Sequence, residues 1–142
     1  MGLMELASGN SLWRGFDYYE SHKVKSWKKI DDAVYTGVIN GSNGAKYNVC
    51  IDTAHPRKSS CNCPFADGRR VICKHMIALF FTVQPEALQK FHRDVEEAEE
   101  ESEREAEEHK ANLWGYVKRL SKVELQSALF NALLELEERD RW

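Results

Sequence analysis

Three of the four cysteines in this chain fall within fifteen residues, CNCPFADGRRVICKH at positions 61–75, and a histidine closes the stretch. A cluster this dense restricts the fold more than any other feature. The ligand-type side chains come as two pairs, Cys61 with Cys63 and Cys73 with His75, separated by the loop PFADGRRVI. Asp67-Gly68 is a turn signal, and nine intervening residues are ample to bring the second pair opposite the first.

Zinc takes four ligands, usually thiolate sulfur and imidazole nitrogen, in a tetrahedron. Cys61, Cys63, Cys73 and His75 supply that number and type. The second pair opens the apolar stretch VICKHMIALFFTVQ, which reads as a buried helix ending at Pro85. Ile72, Met76, Leu79, Phe80 and Val83 fit one helical face. Positions i and i+2 of a helix point about 200° apart. Cys73 is therefore expected at or before the helix cap, with His75 in the first turn, where free backbone N–H groups stabilise thiolate.

Three thiolates and a neutral imidazole around Zn²⁺ leave one negative charge, which Arg69, Arg70 and Lys74 are placed to offset. A closed cage has no open position for water and reads as structural. The rival readings are weaker. A disulfide leaves His75 unexplained, a redox pair normally reads C-x-x-C near a βαβ pattern, and a cysteine nucleophile needs a base and an oxyanion site that nothing specifies. Cys50 lies mid-strand and reads as a packed thiol. His22, His55, His92 and His109 have no partner spacing and read as surface residues.

The wording of the cluster resembles the SWIM-type zinc finger. CNCPF is similar to that family's Cys-x-Cys-Pro-aromatic opening, CKHMIALF to its Cys-Lys-His-hydrophobic helix, and RGFDYYESHKV to the segment before the finger in bacterial members. The specific part covers residues 61–80, with weaker similarity over about 14–83. The resemblance implies a strand–strand–helix finger holding one zinc on Cys61, Cys63, Cys73 and His75. It also implies contacts to DNA or protein, since such modules occur beside helicase-type ATPases, transposases, recombination factors and ubiquitin-pathway proteins. The chain has no G-x-x-x-x-G-K motif and no paired acidic nuclease pattern, so a binding module rather than an enzyme is expected.

The rest of the chain frames the finger. NSLWRGFDYYESH reads as a helix capped by Asn10 or Ser11, with Leu12, Phe16 and Tyr19 on its core face. VKSWKKI, AVYTGVI and AKYNVCI read as strands, the last two joined by the turn NGSNG, and RKSSC as a short fourth strand. Tyr47, Val49 and Ile51 alternate against Lys46, Asn48 and Cys50. The fold class is α+β: an N-terminal helix, a small antiparallel sheet, a ββα-like finger, an acidic helical arm and a C-terminal helical hairpin. The expected domains are residues 1–85, 86–110 and 111–142.

The net charge of −3 hides a division. Residues 1–85 carry 11 Lys/Arg and 7 Asp/Glu, whereas residues 86–142 carry 9 and 16. Ten of the fifteen residues 94–108 are acidic, which marks a solvated helix or linker rather than a core element. ANLWGYVKRL reads as a short helix. After it, the SKVE capping box starts an amphipathic helix with Val123, Leu125, Leu129, Leu133 and Leu136.

Two functions follow as expectations. In one, the finger binds DNA or RNA through Arg57, Lys58, Arg69, Arg70 and Lys74, with Lys25, Trp27 and Lys29 extending the patch. In the other, the protein is an adaptor whose acidic arm and terminal helix bind a protein, such as a helicase-type ATPase, or a second copy. No apolar run approaches the ~18 residues of a membrane span. MGLMELASGN lacks a basic patch followed by an apolar stretch, so a cytoplasmic setting is expected, where thiols stay reduced.

Overall fold

The structure is a computed structural model that describes residues 2–141. It is a mixed α+β chain that divides into two compact units, Met1–His92 and Arg93–Trp142.

The first unit opens with a short helix, α1 (Leu3–Leu6), which the sequence pattern does not announce. α2 (Gly9–Glu20) follows. Its cap is Ser8, whose side chain accepts a hydrogen bond from the Ser11 N–H, and not Asn10 or Ser11 as expected. The buried line of α2 is also narrower and smaller than expected. Ser11 and Gly15 are buried, while Leu12, Phe16 and Tyr19 flank them half-buried. Gly15 lies so close to the third helix that an added Cβ would fall 2.5 Å from Ile77 Cβ.

Four antiparallel strands form one sheet in sequence order: β1 (Val24–Asp31), β2 (Val34–Asn40), β3 (Lys46–Asp52) and β4 (Ser60–Cys61). β2 and β3 form the expected hairpin around the 40–44 turn. On β3 the expected alternation appears with Val49 and Ile51 buried and Tyr47 half-buried; on β2 Tyr35 and Ile39 are buried. β1 is an edge strand with all but its first residue exposed. Of the expected fourth strand only Ser60 and Cys61 pair with β3; Pro56–Lys58 form a 3₁₀ turn instead, consistent with the fixed φ of proline at its first position.

α3 (Lys74–Val83) is the central helix. It is not amphipathic as the one-face pattern suggested. Met76, Ile77, Ala78, Leu79 and Phe81 are all buried, because the sheet covers one side and α2 another. A helix that is apolar all round is a buried one. Phe80 and Val83 remain half-buried.

α4 (Pro85–Arg119) is a single 35-residue helix. Its first two turns bury Ala87 and Phe91 in the first unit, where Phe91 packs against Trp13 and Phe81 at ring distances of 5.1 and 5.4 Å. ANLWGYVKRL is therefore not a separate helix but the end of α4. The acidic residues 94–108 are exposed on it. α5 (Lys122–Asp140) begins with the expected Ser121–Glu124 capping box, and none of its described residues is buried. No helix among the described residues is long and apolar enough to cross a membrane.

Candidate metal centre and the basic groove around it

Cys61 ends β4, Cys63 follows two residues later, Cys73 is the N-cap of α3 and His75 lies in its first turn. Cys73 has extended backbone (φ −95°, ψ 170°), which is the cap geometry expected of it. The sheet fixes the first pair: Cys61 pairs with Val49, and the Asn62 side chain accepts a hydrogen bond from the Asn48 N–H at 2.8 Å. The loop then turns sharply. Ala66 and Asp67 both donate their N–H to the Cys63 carbonyl, and Gly68 adopts φ +70°, a left-handed conformation that glycine takes without strain.

The four ligand atoms lie within 4.8 Å of one another. His75 Nδ1 is 3.8 Å from both Cys61 Sγ and Cys73 Sγ. A tetrahedron with Zn–S of ~2.3 Å and Zn–N of ~2.0–2.1 Å has edges of roughly 3.6–3.8 Å, so these separations fit zinc. All four residues are buried, at 1–4 % exposure. No described cysteine is in a disulfide.

The electrostatics point the same way. The Cys73 thiol is held down at about 4, first by a hydrogen bond from the Cys61 thiol and then by His75 and the Met76 backbone N–H. Cys61 is pushed up, first by that hydrogen bond to Cys73 and then by burial. A divalent metal at this site would be bound by the thiolate forms. Cys50 is half-buried outside the cluster, and burial pushes its thiol up, with Asp52 adding to the effect. His22, His55, His92 and His109 are exposed, as expected.

The structure distributes the five expected basic residues over two sides of the finger. Arg57, Lys58 and Arg70 line one open groove with His55. An adjoining depression shares Arg57 and Arg70 with it, and Ser8 and Phe65 with a cavity of about 380 Å³ beside the cage. Lys74 lies there, its Nζ 4.9 Å above the Tyr18 ring. Arg69 does not line this path. It lines the neighbouring surface with Asp67, donates to the Phe65 carbonyl at 3.1 Å and lies 5.2 Å over the Phe65 ring.

Four residues of the groove escaped the sequence reading: Arg14, Tyr18, Tyr47 and Phe65. Arg14 and Tyr18 share one face of α2, four residues apart, and the close approach at Gly15 brings that face to α3. Phe65 had a signal, since an aromatic directly after Cys-x-Cys-Pro stays 50 % exposed instead of joining the core. Trp27, offered as a stacking platform, is 48 % exposed on β1, next to Lys28 in a different groove.

A buried Cys₃His cage between a strand end and a helix cap defines a structural zinc finger of C-x-C…C-x-H type. Residues 42–84 match the family model of the SWIM zinc finger, and within that match Cys61, Cys63, Cys73 and His75 are positioned to bind one zinc ion. No curated protein and no solved structure matches the chain.

Proposed function

We propose that the protein is a nucleic-acid-binding module without catalysis of its own, in which the zinc-braced finger presents the groove to a single strand. The observation that carries this reading is the composition of that groove. Arg14, Arg57, Lys58, Arg70 and Lys74 line it, and no acidic side chain among the described residues does. Phe65 stands exposed midway along it, and Tyr18 and Tyr47 border its inner end.

Cations that track a backbone, interleaved with aromatic faces for bases, are how proteins hold single strands without reading sequence. A zinc ion held by Cys61, Cys63, Cys73 and His75 would cross-link the Phe65 loop to α3.

Fluorescence anisotropy with single- and double-stranded DNA and RNA at two salt concentrations tests this. Binding should weaken with salt, with a log–log slope near −0.7 per phosphate on single strands and near −0.9 on duplex. Replacing both Arg57 and Arg70 with Ala should weaken all sequences alike and flatten the slope by about two contacts. Absence of binding at low salt would overturn the proposal. A second reading, an adaptor that engages a protein such as a helicase-type ATPase through its C-terminal part, draws support from the open apolar side chains of α5.

A further inference from the structure

α5 has a feature that nucleic-acid binding does not use. Its apolar residues form two stripes joined by Leu133. Leu125, Leu129 and Leu136 mark one, with Ala128 and Ala132 between them; Val123, Phe130 and Leu134 mark the other. All seven large side chains are exposed, from 39 % for Leu125 to 72 % for Val123. A helix with so wide an apolar face belongs against neighbours.

The area is too large for a monomer surface. Together with the exposed apolar side chains at the end of α4, α5 offers on the order of 1,000 Å² per copy. The largest patch on a typical monomer is ~300–600 Å². A standard interface takes ~800 Å² from each partner.

Charge selects the occupant. The turn from α4 into α5 holds Lys118, Arg119 and Lys122, against Glu124 in the first turn of α5. The other end of α5 holds Glu135, Glu137, Glu138 and Asp140 against Arg139. Taken with the basic turn before it, the helix is thus complementary to itself in reverse. We infer that α5 pairs antiparallel with α5 of a second copy of this chain. That pairing sets the basic end of each copy beside the acidic end of the other, and the two-fold axis makes every such contact twice. A parallel pair would set acid on acid. Ala128 and Ala132, one turn apart, let the two backbones approach between the leucines.

The inference stands apart from the nucleic-acid reading, and its test is oligomeric state. Sedimentation of the zinc-loaded full chain at micromolar concentration should give twice the 16.4 kDa chain mass. Leu129→Glu should shift it to monomer. Two surface variants check the orientation without touching the apolar seam: Lys118→Glu/Arg119→Glu/Lys122→Glu, and Glu135→Lys/Glu137→Lys/Glu138→Lys. Each should self-associate at least tenfold more weakly, and the two mixed should form a heterodimer in preference to either homodimer. A native chain that stays monomeric overturns the inference and leaves the stripes to a different protein. A dimer whose charge-reversed forms mix no better than they self-associate overturns it as well.

Discussion

Gly15→Ala sets two effects of similar size against each other. Gly15 lies in the middle of α2, where alanine is intrinsically better by ~0.8–1.0 kcal/mol. Propensity alone therefore forecasts a gain. The packing forecasts a loss. The new Cβ would lie 2.5 Å from Ile77 Cβ and Cγ2 and 3.0 Å from the Lys74 carbonyl oxygen. Ordinary carbon contacts are ≈ 3.5–4.0 Å, so α2 and α3 must part by about 1 Å. Ile77 is fully buried, and the clash falls on its branch point, not on a flexible tip. Overpacking of this kind costs about 1–3 kcal/mol, and the absence of a yielding atom places it in the upper half. The net loss is then about 1–2 kcal/mol, or roughly 5–15 °C in Tm for a domain of this size.

Near-ultraviolet circular dichroism of zinc-loaded protein reads the unfolding of the first unit. Gly9→Ala is the control on the same helix, because its Cβ meets nothing within 4 Å; it should be neutral or slightly stabilising. Gly15→Ala should also weaken nucleic-acid binding, since α2 carries Arg14 and Tyr18 while α3 carries Lys74 and His75. A Gly15→Ala protein as stable as the control would refute the packing argument.

Cys73→Ser should abolish stoichiometric zinc and destabilise far more than Cys50→Ser, because finger peptides draw an apparent ~10–16 kcal/mol from the metal; equal losses in chelator titrations would put the ligand assignment in doubt. Phe65→Ala should cost single-strand binding about 1–3 kcal/mol in anisotropy titrations while leaving zinc content unchanged, and an unaltered affinity would remove the stacking role. Limited proteolysis should cut first within the exposed residues 94–110 and leave a zinc-bearing fragment near residues 1–92. Protection of that segment in isolated monomer would contradict its exposure.

The finger was legible because its signals are local. Ligand spacing, the 40–44 turn and the alternation of β3 each act within a few residues, and the cap position of Cys73 followed from helix geometry. What the sequence did not yield depends on tertiary placement. Ser8, Asn10 and Ser11 are all good caps, and the turn at Ala7 decides among them. The burial of α3 against both the sheet and α2 depends on α2 crossing it closely, which Gly15 permits. α4 runs through the change from acidic to apolar sequence because no proline follows Pro85 and Gly115 costs only ~1 kcal/mol. The groove was half visible. Its loop cations stand next to the cysteines in sequence, whereas Arg14 reaches it from another helix.

The central claim is a single zinc held by three sulfurs and one nitrogen. Metal analysis of the purified chain, combined with X-ray absorption at the zinc edge, addresses it directly. The expected result is close to one equivalent of zinc with three Zn–S distances of ~2.3 Å and one Zn–N distance of ~2.0–2.1 Å. A four-sulfur shell, which would require Cys50 in place of His75, would contradict the account. So would a metal-free protein with unchanged folding.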